Sequence, residues 1–182
     1  MKKLINIQPS EHISIDIKYA TAENFTGKPV YRHAACFLHK EAHAKLEKAK
    51  ELAVIQGYHL HIFDAFRPTE AQWKLWEHTP DPDFLAHPER GSPHSRGVAV
   101  DLTLTKQGEL LDMGTEFDAF TPLSHHGNIE ISTTAQHNRY ILLGIMTAAG
   151  WDCYLKEWWH YQLFNSKSYP LLSDAEVGAG MM

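Results

Sequence analysis

Cysteine is scarce in this chain of 182 residues, which contains only Cys36 and Cys153. Two cysteines are too few for the disulfide framework of a small secreted domain, so an apolar core has to hold the fold together. We expect both to be free thiols in a reducing compartment. Hydrophobic residues make up 43% of the sequence, which is typical of a globular protein long enough to bury a core without cross-links.

Long apolar runs and an excess of positive charge are also missing. No apolar run approaches the ~20 residues that cross a bilayer, so we predict no membrane span. The opening stretch MKKLINIQPSEH lacks a long apolar segment and a small-residue cleavage site, which predicts no secretory signal and a cytoplasmic protein. The formal net charge of −5 disfavours nucleic acid as a partner, because nucleic-acid surfaces are usually basic. The sequence gives no indication of the oligomeric state.

The periodicity of the apolar residues predicts an α+β fold in a single domain that spans residues 1–182. We find no internal repeat, low-complexity tract or linker. Predicted strands contain residues 13–17, 58–66, 98–104 and 151–164, and predicted helices span residues 33–56, 68–78 and 132–149. Residues 105–131 are expected to be irregular. Strands and helices do not alternate regularly, which favours α+β over a doubly wound sheet.

Two of the predicted helices carry apolar stripes that we expect to be buried. Residues at three- and four-residue steps form these stripes, as in a helix with one face on a core. Their members are Leu38, Ala42, Leu46, Ala49 and Ala53 in the first helix, and Ile141, Leu142, Ile145 and Met146 in the third. Ser132 is placed to cap the third helix.

The stretch SPHSRGVAVD places two possible metal ligands, His94 and Asp101, on either side of Gly97. Val98 and Val100 begin an alternating pattern that predicts a strand with its apolar residues in the core and Asp101 on the opposite, more polar face. Gly97 lets the chain fold back, so both ligands are compatible with one metal ion. Two ligands alone bind weakly, however, and the stretch is equally typical of a loop that leads into a strand.

The stretch EWWH supplies a third possible ligand, His160, and a carboxylate, Glu157. Two histidines and one carboxylate, with an open fourth position, form a common ligand set of catalytic zinc. Glu157 would then serve as a general base for water made acidic by the metal. The order is the reverse of the HExxH helix motif. A histidine packed between tryptophans and a surface glutamate are the alternatives, and they stay open here.

Arg67 lies in DAFRP, where a predicted strand ends and a helix begins. A guanidinium group near a metal centre can donate to a scissile carbonyl and to the oxyanion that forms from it. An exposed arginine, or one paired with a carboxylate for structural reasons, is the alternative.

Taken together and in this order, the motifs resemble those of the zinc-dependent D-alanyl-D-alanine dipeptidases, the family that includes the dipeptidase of vancomycin-resistance clusters. The similarity covers most of the chain, from DIKYATAENFTGKPVY through GYHLHIFDAFRP and SPHSRGVAVDLTL to EWWHYQL. The family pattern Ser-x-His-x-x-Gly-x-Ala-x-Asp is met from Ser92 to Asp101, and its Glu-x-x-His is met by Glu157 and His160.

The resemblance implies one Zn²⁺ per chain, held by His94, Asp101 and His160, with Glu157 as the base and Arg67 as the stabiliser of the carbonyl and oxyanion. It also implies a fold like that of zinc D-Ala-D-Ala carboxypeptidases and the Hedgehog signalling domain. That fold has a mainly antiparallel central sheet flanked by helices. The implied reaction is hydrolysis of D-Ala-D-Ala to two D-Ala, and glycopeptide resistance and D-Ala salvage both fit it.

Further positions match the family outside the proposed metal site. Asp118, in MGTEFDAF, matches the position that binds the free ammonium group of the substrate. Ser92 would orient His94 or contact the substrate. His125 and His126 also match, but no role follows for them beyond structure, and no residue is indicated for the substrate carboxylate.

Two other functions stay open at this point. One is a related zinc carboxypeptidase or endopeptidase that acts on peptidoglycan stem peptides. Asp118 favours a dipeptide substrate instead, because a longer peptide has an amide at the position where Asp118 would bind a free ammonium group. The other is a zinc-stabilised binding module without turnover. Glu157 and Arg67 argue against that module, because a structural metal site is usually closed and needs no base.

Overall fold

A mostly antiparallel sheet forms the centre of this computed structural model, which describes residues 4–182. The strands are β1 (Leu4–Asn6), β2 (Ile13–Ile15), β3 (Phe37–His39), β4 (His59–Asp64), β5 (Ala99–Lys106), β6 (Glu109–Leu110), β7 (Asp152–Cys153) and β8 (His160–Gln162). The main sheet has the order β2-β4-β5-β8-β7, with β6 paired to the end of β5, and β1 pairs with β3 separately. Only the β2–β4 pair of the described residues is parallel. The α+β prediction is confirmed.

Four helices accompany the sheet within residues 4–182. They are α1 (Lys40–Ile55), α2 (Thr69–His78), α3 (Thr133–Ala148) and the short α4 (Asp174–Val177). As predicted, α1 buries Ala42, Leu46, Ala49 and Ala53, and it packs against β3, β4 and α3. Ser132 caps α3 through its side chain, which accepts a hydrogen bond from Ala135 N at 3.0 Å.

The first helix begins later than its apolar stripe predicted. The prediction placed the start near residue 33, but α1 begins at Lys40 because the preceding three residues pair with β1. Leu38, the first member of the stripe, is therefore a buried strand residue. His39 ends the strand and caps the helix, accepting a hydrogen bond from Glu41 N at 3.4 Å.

Other boundaries also differ from the prediction. The strand at Ile13 ends at Ile15, and Ile141 is half-buried although Leu142, Ile145 and Met146 are buried as expected. Residues 105–131 are largely irregular, as predicted, but contain β6 and a short 3-10 turn, Pro122–Ser124. Residues 151–164 form two short strands joined by a turn. That turn carries Glu157, so the segment is less continuous than its aromatic content suggested.

Strand β5 has the predicted polar face, with Asp101 and Thr103 opposite the apolar residues, but both of its faces are buried. Val100, Leu102 and Leu104 lie in the core as predicted, but Asp101 is also only 2% exposed. The face that carries Asp101 is covered because side chains from distant segments lie against its carboxylate, with Arg67 Nη2 at 3.5 Å and His160 Nδ1 at 3.1 Å. A carboxylate is thus held inside the protein.

None of the helices in residues 4–182 has the length and apolar content that crossing a bilayer requires. The stretch on which we predicted no secretory signal begins with residues 1–3, which lie outside the described residues. Cys36 and Cys153 are both free thiols, the first buried and the second partly buried.

Candidate metal centre

Three side chains from three segments converge beside β5. His94 opens a short 3-10 turn before the strand, Asp101 lies on β5, and His160 is the first residue of β8. The β5–β8 register places Asp101 directly across from His160. Within residues 4–182, these residues form the one group of three or more histidine, cysteine or carboxylate side chains arranged to hold a metal ion.

Gly97 makes the approach of His94 and Asp101 possible. Its φ of 68° lies in the left-handed region, which non-glycine residues rarely adopt. A Cβ atom at this position would also lie 2.6 Å from Leu4 Cδ2. The glycine therefore closes the 3-10 turn and returns the chain into β5 with both side chains on one site.

The ligand atoms lie close enough to share one ion. His94 Nε2 is 3.2 Å from Asp101 Oδ1 and 3.1 Å from His160 Nδ1, and His160 Nδ1 is 3.1 Å from Asp101 Oδ1. All three residues are buried. Two nitrogen donors and one oxygen donor suit zinc, which binds histidine and carboxylate in catalytic sites.

The opposite ring nitrogens of both histidines are already engaged. His94 Nδ1 lies 2.6 Å from the carbonyl oxygen of Ala65, and His160 Nε2 lies 3.1 Å from Gln162 Oε1. Because these oxygens are acceptors, each of those nitrogens carries the proton, and lone pairs point from the other nitrogens toward Asp101. Three converging electron-pair donors repel each other unless a cation lies between them, so the donor set fits a divalent metal.

Asp101 is held in its ionised form. Burial acts to raise the pKa of its carboxyl group, but the two imidazoles beside it, His94 and His160, outweigh burial and lower the pKa below its usual range. An ionised carboxylate is the state that a metal ligand requires.

Glu157 lies beside the three ligands without joining them. Its carboxylate oxygen Oε2 is 3.9 Å from His160 Nδ1, and the residue is 7% exposed, so it is not a surface glutamate. Burial raises the pKa of Glu157 to about 8, and the charge of the neighbouring His160 opposes that rise. A buried carboxyl group with a pKa near neutrality is suited to accept and return a proton.

Arg67 is buried under the same site and is held on several sides. Its Nε and Nη2 atoms each lie 2.9 Å from Asp64 Oδ2, and Nη2 is 3.5 Å from Asp101 Oδ2. Nη1 donates to Gln72 Oε1 at 3.2 Å, and the guanidinium carbon lies 4.8 Å from the ring centroid of Tyr19. The sequence left two interpretations of Arg67 open, an ion pair with a carboxylate and a place in the site. In the structure the residue is both paired with Asp64 and close to Asp101.

The sequence analysis missed the residues that hold Arg67. Tyr31 donates to Asp64 Oδ1 at 2.9 Å, and Gln72 Nε2 donates to the carbonyl of Ala86 at 2.8 Å. Asp64 lies three residues before Arg67 in DAFRP, and Gln72 lies five residues after it, in the first turn of α2. That spacing was the available signal, but only burial distinguishes these polar residues from surface ones.

Asp118 faces the same cleft from the loop after β6. Its Oδ1 accepts a hydrogen bond from Tyr19 OH at 3.1 Å, while Oδ2 is buried without a partner among residues 4–182. Its φ of 59° is left-handed, a conformation that non-glycine residues adopt at a cost and often at functional sites. Burial raises the pKa of this carboxyl group, and the charge of Arg67 opposes the rise.

Ser92 accepts a hydrogen bond from His94 N at 3.2 Å, so it braces the turn that presents this ligand. His125 and His126 lie apart from the ligands, where the carbonyl of His125 accepts from Arg139 and His126 N donates to Leu155 O. Arg96, the remaining charged residue of SPHSRG, donates to main-chain carbonyls at Tyr169 and Arg90.

The predicted site residues line one cleft of about 200 Å³. They are Arg67, Ser92, His94, Asp101, Asp118, Glu157 and His160. Phe84 and Phe120, stacked with ring centroids 4.8 Å apart, line it as well. The arrangement brings together a metal ligand set, a buried carboxylate, a buried guanidinium group and an acidic pocket wall.

The family model described as D-ala-D-ala dipeptidase, peptidase M15, matches residues 4–174. A D-alanyl-D-alanine dipeptidase of Escherichia coli (strain K12) is 45% identical over 163 residues, covering 89% of this chain and 84% of that protein. One of Enterococcus faecium is 40% identical over 177 residues, covering 85% of this chain and 87% of that protein.

A further relative of the same name, from Streptomyces coelicolor, is 38% identical over 170 residues, which cover 81% of this chain and 84% of that protein. The family model spans nearly all of the chain, and each relative matches over most of its own length. The resemblance drawn from the sequence motifs is therefore confirmed, and the chain belongs to the D-Ala-D-Ala dipeptidase family of M15 peptidases.

Proposed function

We propose that this chain is a zinc metallopeptidase that hydrolyses the dipeptide D-Ala-D-Ala to two D-Ala. One observation carries the proposal: a convergent His94–Asp101–His160 ligand set lies in a small cleft next to the buried carboxylate of Glu157. The curated relatives are named D-alanyl-D-alanine dipeptidases, and we extend that substrate to this chain. We further propose that residues 1–182 are one catalytic domain that works in the cytoplasm.

His94 Nε2, Asp101 Oδ1 and His160 Nδ1 would hold one zinc ion. The bound ion would supply a Lewis acid, which polarises the scissile carbonyl and makes water acidic near neutral pH. Ala65 and Gln162 keep the two imidazole rings in the tautomers and orientations that this role needs.

Glu157 moves the proton. Its carboxylate takes a proton from the attacking water as the C–O bond forms, and holds that proton on an Oε atom. When the peptide bond breaks, Glu157 gives the proton to the leaving amine of the second D-Ala. Burial raises the pKa of this group in the metal-free protein, and a bound cation would oppose that rise, so Glu157 can both accept and return a proton near neutral pH.

Arg67 stabilises the oxygen of the scissile carbonyl as it becomes an oxyanion. Asp64 and Gln72 fix the guanidinium plane before substrate binds, so no reorientation is needed as charge develops. Ser92 acts beside it by fixing the turn of His94.

Asp118 binds the ammonium group of the dipeptide. Its unpartnered Oδ2 atom is the acceptor that a free amino terminus would satisfy. A longer peptide carries an amide at this point, which brings no positive charge and leaves the buried carboxylate unpaired. The same carboxylate therefore selects a dipeptide over a stem peptide of the cell wall.

The direct test measures D-Ala release and metal content in one preparation. Purified protein loaded with zinc is expected to bind one zinc per chain and to release two D-Ala per D-Ala-D-Ala. Zinc binding without D-Ala release would support a zinc-stabilised binding module instead. Equal cleavage of acetylated stem peptides and of the dipeptide would support a carboxypeptidase or endopeptidase.

Asparagine at position 118 is expected to raise KM for D-Ala-D-Ala by about 10- to 100-fold, because a charge-assisted hydrogen bond contributes about 1.5–3 kcal/mol. The ratio of kcat/KM for D-Ala-D-Ala to kcat/KM for N-acetyl-D-Ala-D-Ala should fall by a similar factor. Steady-state kinetics on both substrates measure the two effects.

Asp152→Asn is the matched control, since Asp152 lies on β7 and does not belong to the residues that line the cleft. Its kinetic constants should equal those of the wild type. An Asp118→Asn variant with an unchanged KM would show that another group binds the ammonium.

A further inference from the structure

Arg139, on α3, is buried, and no carboxylate within residues 4–182 is hydrogen-bonded to its guanidinium group. The residue is 3% exposed, and the guanidinium group donates to main-chain carbonyls instead. Nε lies 2.6 Å from Met113 O, and Nη1 lies 2.8 Å from Leu123 O and 3.2 Å from His125 O. Burying a charge is costly unless it is hydrogen-bonded. Because Nη2 has no partner among the described residues, the contacts of Nε and Nη1 are the ones that fix this side chain.

All three carbonyls belong to the segment of residues 113–125, which we call the Asp118 loop. Arg139 binds its first residue, Met113, and two residues at its end, Leu123 and His125. One rigid guanidinium group thus fixes the separation of the two ends of the loop. Between them, Asp118 has the left-handed φ of 59°, a conformation that a loop with free ends would relax.

The same guanidinium group also contacts the segment that carries the proposed base. Its carbon lies 5.8 Å from the ring centroid of Trp158, the residue next to Glu157. Trp158 in turn binds the Asp118 loop twice, because its Nε1 donates to Thr115 Oγ1 at 2.8 Å and its main-chain N donates to Ser124 O at 3.1 Å.

Ser124 closes this set of contacts inside the loop. Its hydroxyl donates to the carbonyl of Ala119 at 2.6 Å and lies 3.1 Å from Thr115 Oγ1. The residue after Asp118 is thereby tied to the end of the loop that Arg139 holds. A continuous chain of contacts runs from Arg139 to the backbone that aims Asp118.

We propose that Arg139 is a positioning residue for recognition of the substrate amine: it holds the Asp118 loop against Trp158 so that the Asp118 carboxylate faces the cleft. This inference rests on the proposed role of Asp118 in binding the ammonium group. Arg139 itself is not among the residues lining the cleft, so it acts through the loop. Lysine cannot replace it, because an ammonium group lacks the planar fork that reaches three fixed carbonyls.

The test compares Arg139→Lys and Arg139→Gln with the wild type in the zinc-loaded protein. We expect KM for D-Ala-D-Ala to rise about tenfold or more, since a misplacement of about 1 Å can cost up to 10²-fold. The fold decrease in kcat per bound zinc should be smaller than the fold increase in KM. The ratio of kcat/KM for D-Ala-D-Ala to kcat/KM for N-acetyl-D-Ala-D-Ala should also decrease. Zinc per chain should stay at one.

A double-mutant cycle with Asp118→Asn separates positioning from general destabilisation. If Arg139 acts through Asp118, adding Arg139→Lys to Asp118→Asn should change KM little further, because the two residues share one effect. Gln136→Ala is the control, as Gln136 lies on the same helix and its side chain, within the part of the chain that the structure describes, donates only to the carbonyl of Ile131. Its KM should be that of the wild type.

Three outcomes would overturn the positioning role: fully additive effects on KM, an unchanged KM in both Arg139 variants, or loss of folding in both, which would indicate a structural role alone. Failure of the proposed function is a separate result. In that case the wild type itself would not cleave D-Ala-D-Ala, or Asp118→Asn would leave its KM unchanged.

Discussion

Replacement of Glu157 by glutamine is expected to lower kcat for D-Ala-D-Ala by about 10²- to 10⁴-fold, the range typical of losing a general acid–base. Glutamine keeps the shape of the buried side chain but cannot take a proton from water. The carboxylate lies 3.9 Å from the nearest ligand atom, outside the ligand set, so one zinc per chain should still bind. Steady-state kinetics and metal analysis on the same sample measure both quantities.

Glu51→Gln serves as the matched control, because Glu51 is an exposed glutamate of α1. Its kcat should equal that of the wild type. Loss of zinc from the Glu157 variant would instead make Glu157 a ligand, and retention of full kcat would remove it from the reaction.

Alanine in place of Arg67 is expected to affect both rate and stability. Loss of one oxyanion donor typically lowers kcat by about 10²- to 10³-fold. The change also leaves Asp64 buried without its cation, and removing one partner of a buried ion pair costs about 3–5 kcal/mol of unfolding free energy. Urea unfolding of the metal-free protein and kinetics of the zinc-loaded protein measure the two effects.

The stability loss should depend on pH. Burial already raises the pKa of Asp64, and the charge of Arg67 opposes that rise, so alanine at position 67 lets the pKa rise further. A carboxyl group whose pKa is higher in the folded than in the unfolded protein destabilises the fold while it is ionised, and this cost disappears once the group is protonated. The difference in unfolding free energy between the wild type and Arg67→Ala should therefore become smaller as pH falls through the pKa of Asp64 in the variant.

Arg32→Ala provides the control for this experiment, since Arg32 is exposed and exposed substitutions usually change stability by less than about 0.5 kcal/mol. An Arg67→Ala variant that keeps the wild-type kcat would exclude the oxyanion role. A stability loss independent of pH would mean that Asp64 is not the group left unpaired.

The elements with strong periodicity were predictable from sequence, and their ends were not. Four of the five residues of the predicted stripe are buried on α1, yet pairing between distant strands decides where the helix begins and places Leu38 on a strand. That pairing joins residues 4–6 to residues 37–39. Local apolar spacing contains no information on which distant segment supplies the partner. The burial of Asp101 escaped prediction for the same reason, because Arg67 and His160 lie against it from distant parts of the chain.

The candidate site was predictable where the chemistry is concentrated in short motifs. His94, Asp101 and His160 converge as the spacing and the family resemblance indicated. The residues that hold Arg67 and the Asp118 loop in place were not identified, because Gln72 and Arg139 are common helix residues in sequence. Only the folded chain shows that one lies beneath Arg67 and the other between two ends of a loop.

Asp101 and His160 lie opposite each other in the β5–β8 register, so the ligand set forms only when these two strands pair in that register. A slip of one residue would place Trp159 or Tyr161 opposite Asp101 and turn the His160 side chain to the other face. A misaligned chain would keep only two ligands and bind the ion weakly. Because an ion that binds only the native state stabilises it, metal supply would favour chains in the correct register during folding. Growth in metal-poor medium should then lower the yield of folded protein as well as its activity.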